Sequence, residues 1–89
     1  MYEEDIYEVK ETEKEAKYFF MDWLKKKREK EQVSQSYISK ITGITRQHIN
    51  DLERGKKHPG LGTAAKVAKV LGYKLVFKKI EEPKRRRDY

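Results

Sequence analysis

The strongest constraint on the fold is a short pattern that occurs twice, once on each side of Gly43. The stretches "VSQSYI" and "ITRQHI" begin at residues 33 and 44. Each places a hydroxyl residue directly after one aliphatic residue and four residues before another. Such a hydroxyl caps the first turn of a helix, and the flanking aliphatic residues pack together as a hydrophobic staple. The pattern predicts helices that begin at Ser34 and Thr45, and Gly43 predicts that the first of them ends near Thr42.

The remaining patterns predict a mainly α domain. A stripe of apolar residues at spacings of three and four predicts a first helix from about Glu13. The helix after Thr45 is expected to end at Gly55, and Thr63 is expected to cap a further helix that ends at Gly72. Residues 73–80, "YKLVFKKI", alternate as a strand does. We therefore predict a bundle of about four to five helices, including a helix-turn-helix, with a C-terminal β-strand.

Charge divides this chain of 89 residues unevenly. The net charge is +7, but residues 1–17 hold seven acids and three lysines, and residues 18–89 carry a net +11. Four segments are predicted: an acidic arm at 1–17, a helix-turn-helix domain at 18–72, a dimerisation strand at 73–80 and a basic tail at 81–89. A body this basic favours polyanionic partners, above all nucleic acid. The alternative is a lysine-rich surface that only maintains solubility.

Several classes of function lack the residues they need. The sequence has no cysteine, and His48 and His58 have no second histidine at ligand spacing, so we expect no metal site and no cofactor. No nucleophile accompanies these histidines, and we expect no catalytic residue and no enzyme activity. No apolar run approaches the roughly 20 residues of a membrane span. We expect a cytoplasmic protein without a membrane partner.

The helix after Thr45 has a narrow apolar side and a broad polar one. At about 100° per residue, Ile49 and Leu52 face one way, and the polar residues occupy the opposite side and both flanks. Arginine can bind guanine O6 and N7, and glutamine or asparagine can pair with adenine N6 and N7. This face therefore suits the major groove of DNA. The alternative is an ordinary solvated helix surface.

Residues 33–72 resemble the lambda-repressor-like helix-turn-helix family, also called the Cro or xenobiotic-response-element family. The resemblance rests on the Ser-Gln helix start, Ile-Thr-Arg, Leu-Glu-Arg-Gly and the closing Leu-Gly. It implies a sequence-specific regulator, a repressor, that binds an inverted-repeat operator in double-stranded DNA. The implied base contacts come from Arg46, Gln47, His48 and Asn50. The implied phosphate contacts come from Gln35, Thr45, Lys56 and Lys57.

The sequence departs from that family at two places. Seven positions before Ser34 the family usually has an aliphatic residue, and this chain has Lys27. A strand is expected where the family often has a fifth helix, a variant that resembles the HigA and HipB antitoxins. We expect a homodimer joined through this strand, or else a strand that pairs with residues 6–9. The alternative function is a protein-interaction module in which DNA binding is secondary, and which either neutralises a cognate toxin or bridges transcription factors. The expected dimerisation residues are Leu75, Val76, Phe77 and Ile80.

Overall fold

The computed structural model describes residues 6–9 and 11–81, and four helices form in that part of the chain. The mainly α bundle predicted from the sequence is confirmed. Predictions for residues 1–5 of the acidic arm and for residues 82–89 of the basic tail lie outside the described residues. The helices are α1 (Glu13–Lys30), α2 (Gln35–Thr42), α3 (Arg46–Glu53) and α4 (Leu61–Val70).

Both predicted caps of the helix-turn-helix are present. The Ser34 hydroxyl accepts a hydrogen bond from the main-chain N–H of Tyr37 at 2.9 Å, and the Thr45 hydroxyl accepts one from that of His48 at 3.1 Å. Gly43 has a φ of +82°, the left-handed conformation that a glycine adopts without strain. The chain therefore leaves α2 after Thr42 and enters α3 within three residues, as the sequence predicts.

Helix α1 is the longest element, and local features account for both of its ends. The Thr12 hydroxyl accepts a hydrogen bond from the N–H of Glu15, and two glutamates lie in the first turn, where the helix dipole favours negative charge. At the other end no glycine or proline stops the helix. The backbone reverses instead at Gln32, which has a φ of +58°. Residues 13–17 of the predicted acidic arm thus belong to α1.

Helix α4 begins earlier than the sequence predicts. Its N-cap is Gly60, which makes no side-chain capping bond, and Thr63 lies inside the first turn. The expectation that Thr63 caps this helix is wrong. Gly60 already has an extended backbone, with φ of −73° and ψ of 165°, so the helix starts directly after it.

The core lies where α1, α2, α3 and α4 meet. Partly buried residues pack around it, and these include Val33 and Ile44, which precede the two caps as hydrophobic staples require. Helix α1 packs against α3, and α2 packs against both α3 and α4. The side chains of this core are Leu24, Ile38, Ile49, Leu52, Val67 and Leu71.

Lys27 is buried although it occupies a place that the related family fills with an aliphatic residue. Its exposed fraction is 9%, and its ammonium lies 4.8 Å from the ring centre of Tyr7 and 5.5 Å from that of Tyr73. Hydrogen bonding to Tyr7 first, and to Tyr73 second, raises the pKa of Lys27. Trp23 completes this aromatic cluster, 5.3 Å from the Tyr73 ring. The long lysine stem replaces the apolar side chain, and the charge is satisfied by aromatic faces.

The predicted C-terminal strand is wrong. Residues 73–80 form no strand, and neither do residues 6–9, which were the alternative pairing partner. A strand persists only when its main-chain groups pair with a neighbour, and the described part of this single chain provides none. The expected dimerisation residues are consequently exposed: Leu75 at 43%, Val76 at 65%, Phe77 at 94% and Ile80 at 63%.

Candidate nucleic-acid interface

Helix α3 has a polar face that is exposed and an opposite, apolar face that packs into the core. Ile49 and Leu52 are buried in the core. On the other side Arg46 and Gln47 are exposed, and His48, Asn50 and Asp51 are partly exposed. The helical wheel drawn from the sequence is therefore right about which residues α3 offers to the outside.

The inner end of α3 carries a buried charge. The Glu53 side chain is only 5% exposed, and the Arg28 guanidinium of α1 donates to both carboxylate oxygens, with Nη2 at 3.0 Å from Oε1. Arg28 Nη1 also donates to the carbonyl oxygen of Val33 at 3.1 Å. The hydrogen bonds to Glu53 raise the pKa of Arg28. Arg28 thus joins α1 to the end of α3 and to Val33, the residue before the cap of α2.

Gln35 connects the first residue of α2 to two residues of α3. Its amide nitrogen donates to Asn50 Oδ1 at 3.2 Å and to Glu53 Oε1 at 3.1 Å. Both N–H groups of the amide are therefore engaged. Together with Arg28, these contacts form a chain of hydrogen bonds, which we call the α1–α3 relay, from Arg28 through Glu53 and Gln35 to Asn50.

A second amide is held on the outer face. Gln47 Nε2 donates to Asp51 Oδ1 at 3.0 Å, across one helical turn. The acceptor oxygen and one N–H of Gln47 stay available to a ligand. The hydrogen bond from Gln47 also partly satisfies the negative charge of Asp51 on this face.

Positive groups border this face. The N-terminus of α2 lies beside α3 through the Gln35 contacts, and the first amides of a helix attract anions. Lys56 and Lys57 follow α3 in an exposed loop, where the main-chain N–H of Lys56 donates to the carbonyl of Asp51 at 2.9 Å. The predicted base-contacting and phosphate-contacting residues thus occupy one connected region around α3.

Sequence reasoning missed Arg28 and Glu53 as members of this region. A signal was available, because Glu53 follows Ile49 by four residues and therefore shares its buried side. A buried carboxylate requires a hydrogen-bonding cation. Nothing local identified Arg28 as that cation, since it is one of several basic residues in "KKKREK" near the end of α1.

Three further features of the described residues bear on function: cavities, metal-binding groups and membrane-spanning helices. A cavity of about 560 Å³ runs along α1 beside Trp23 and Lys27, and none of the residues that line it belongs to α3. Residues 6–9 and 11–81 contain no group of three or more side chains that could hold a metal ion. In the same ranges, no helix is long and apolar enough to cross a membrane.

The fold and the exposed face of α3 define a helix-turn-helix domain. The family model described as Helix-turn-helix matches residues 24–78, and the chain belongs to this Cro/C1-type family. It is a family of DNA-binding regulatory domains and not of enzymes.

One relative is an uncharacterised HTH-type transcriptional regulator, y4dL, of Sinorhizobium fredii. It is 40% identical over 54 residues, which cover 61% of this chain and 28% of that protein. The chain thus spans little more than a quarter of the relative's length. No solved structure matches the chain at a significant level. The comparisons do not show the expected similarity to HigA and HipB antitoxins.

Proposed function

We propose that this protein is a sequence-specific regulator of transcription that inserts α3 into the major groove of double-stranded DNA. The observation that carries the proposal is the combination of an exposed polar face on α3 with an inner face fixed by the core and by the α1–α3 relay. Base reading requires side chains whose positions are set by the scaffold. The family and the regulator from Sinorhizobium fredii support the same assignment.

Arg46 and Gln47 are the principal base readers in this proposal, because both are exposed near the beginning of α3. An arginine presents its fork to guanine, and Gln47 keeps an oxygen and an N–H for a base edge. His48 and Asn50 are the further base contacts. Phosphates are bound by the cap region at Thr45, by the main-chain N–H of Gln35 at the start of α2, and by the two lysines after α3.

The test separates base reading from phosphate binding. The preferred duplex is first selected from a random pool, and binding to it is then compared with binding to a random duplex. Arg46→Ala or Gln47→Ala should each cost about 1–3 kcal/mol on the selected duplex and little on the random one. Lys56→Ala should weaken both and reduce the slope of log K against log salt by about one.

A matched control is available on α1. Lys26 lies two residues before Arg28 and so projects from a different side of the helix, where it pairs with Asp22 at 3.0 Å. Lys26→Ala removes the same charge as Lys56→Ala and should affect both duplexes much less. Equal losses from Arg46→Ala and Lys56→Ala on selected and random duplexes would refute the assignment of base readers.

The mode of action we propose is repression by a homodimer on an inverted-repeat operator. The apolar side chains of residues 75–80 are exposed in the single chain, which is typical of a surface that a partner covers. A two-fold dimer would place its α3 helices about 34–36 Å apart, one turn of DNA. A second copy is the partner we infer, and a toxin bound at the same residues is the competing outcome.

Sedimentation of purified protein tests the dimer. Phe77→Asp should convert a dimer to a monomer, because it places a charge on the most exposed apolar side chain of the segment. Lys78→Ala changes the net charge by the same amount at the adjacent exposed residue and should leave the dimer intact. A wild-type protein that sediments as a monomer, or a Phe77→Asp variant that remains a dimer, refutes this interface. Capture of a neighbouring gene product only by wild type would favour the toxin instead.

A further inference from the structure

In the α1–α3 relay, each amide can be assigned a donating and an accepting end. The assignment follows from the carboxylate at the buried end of the relay. Glu53 is a carboxylate that accepts two hydrogen bonds from Arg28. The Gln35 atom 3.1 Å from Glu53 Oε1 must therefore be its amide nitrogen, because an amide oxygen there would face another acceptor. The position of Glu53 thus fixes which way the Gln35 amide points.

The same reasoning continues to Asn50. Gln35 Nε2 lies 3.2 Å from Asn50, and a nitrogen that donates there must meet the oxygen of the asparagine amide. The planar amide of Asn50 therefore turns Oδ1 toward α2 and its Nδ2 group away from it. Among the contacts of the described residues, Asn50 Oδ1 accepts from Gln35 and Nδ2 has no assigned partner. The amide is partly exposed on the candidate reading helix.

We propose that Asn50 is a specificity-determining residue that reads its base as a hydrogen-bond donor. This inference rests on the proposed function of α3. The ordinary pairing of asparagine with adenine uses both amide atoms, since the oxygen accepts from N6 and the nitrogen donates to N7. Here the oxygen is held against Gln35, so the N–H groups are the part of this partly exposed side chain that is left for a base. The complementary bases are those that present only acceptors in the major groove, guanine through O6 and N7 or thymine through O4. Adenine also offers N7, but its neighbouring N6 group is a donor that the N–H groups of Asn50 cannot pair with.

In this scheme Gln35 is a positioning residue. Glu53 fixes the orientation of the Gln35 amide, and Gln35 in turn fixes the orientation of the Asn50 amide that meets the base. Removing its amide would leave Asn50 in place but free to rotate by half a turn, so that either amide atom could face the DNA. The expected consequence is a loss of discrimination at one base pair, without a change at the positions read by Arg46 or Gln47.

Selection of binding sites from random duplexes tests this inference with three variants. Asn50→Ala identifies the base pair in question, because only there should the preference disappear. Wild type should prefer guanine or thymine at that pair by roughly 3- to 10-fold, as expected for one directional hydrogen bond. Gln35→Met keeps the length of the side chain and should reduce this preference to about the level of Asn50→Ala, with a normal circular-dichroism spectrum.

Asn50→Asp is the sharpest variant, because aspartate still offers an oxygen to Gln35 but replaces the outward donor with an acceptor. The preference at the same base pair should move to cytosine, whose N4 donates in the major groove. Gln47→Met serves as the matched control, since it removes the other glutamine near this face and should alter a different base pair.

The results separate the two claims. A wild-type preference for adenine at the pair defined by Asn50→Ala would overturn the inference, as would a Gln35→Met variant that keeps the wild-type preference. If Asn50→Ala erases no preference while an enriched sequence is still found, the inference fails and the proposed function stands. If wild type enriches no sequence at all, both fail.

Discussion

Replacing either partner of the Arg28–Glu53 pair should destabilise the fold, and the two losses should be unequal. The Glu53 side chain is 5% exposed, whereas that of Arg28 is 18% exposed. Arg28→Met keeps much of the apolar stem but leaves a carboxylate buried with only Gln35 as donor. Glu53→Gln keeps the shape and one acceptor oxygen, and it leaves a guanidinium that is partly hydrated. The arginine variant should therefore suffer more.

The magnitudes follow from the burial of the group left behind. Removing one partner of a buried ion pair costs about 3–5 kcal/mol, and we assign this to Arg28→Met. Weakening hydrogen bonds to a group that water can still reach costs about 1–3 kcal/mol, and we assign this to Glu53→Gln. Stabilities of natural domains are only about 5–15 kcal/mol, so the Arg28 variant should be marginally folded.

Urea denaturation followed by circular dichroism and by Trp23 fluorescence measures both losses at neutral pH. Lys26→Met is the control, since its ion pair with Asp22 is exposed on both sides and should be worth at most about 1 kcal/mol. A Glu53→Gln loss as large as that of Arg28→Met would refute this account.

Two further predictions concern backbone turns and the buried lysine. Gly43→Ala should cost about 1–2 kcal/mol, from left-handed strain alone, because nothing lies within 4 Å of the added carbon. Gly55→Ala has the same kind of strain at a φ of +72°, and its carbon would lie 2.8 Å from Met21 Sδ. That flexible side chain can move aside, so the Gly55 loss should be only slightly larger; thermal melts compare the two. Lys27→Met should lower stability by about 1–2 kcal/mol, from two cation–π contacts. The loss should be constant between pH 6 and 9, because the pKa of Lys27 is raised from an ordinary value of 10.5 and the lysine is charged in both the folded and the unfolded protein throughout that range. A Lys27→Met protein as stable as wild type would contradict this reading of the aromatic cluster.

The helix-turn-helix could be predicted from the sequence because its signals are local. Ser34, Gly43 and Thr45 each act on residues within four positions of themselves, through capping or a left-handed turn. The exposed face of α3 was predictable for the same reason, since Ile49 and Leu52 alone define which side is buried. Local signals of this kind need no knowledge of the tertiary structure.

The failures come from interactions between distant parts of the chain. The alternation in residues 73–80 is real, but a strand also needs a neighbour, and no local pattern supplies one. Lys27 looked out of place because its two aromatic partners lie 20 residues before it and 46 after it. Arg28 and Glu53 are 25 residues apart, so no local sequence pattern identifies them as a pair. These three errors concern contacts between residues far apart in the sequence, whereas the misplaced start of α4 is a local error of capping.

The small size of the apolar core gives a physical reason for the buried Arg28–Glu53 pair and the hydrogen bonds of Gln35. Helices α2 and α3 have eight residues each, and together they contribute only Ile38, Ile49 and Leu52 to the buried apolar cluster. Apolar contacts are non-directional, so a cluster this small leaves the helices free to rotate slightly against one another. Hydrogen bonds have preferred angles, and Gln35 makes two of them to residues three apart on α3. We infer that the relay fixes the angle of α3 against α1 and α2, and with it the angle at which α3 would meet DNA in the proposed complex.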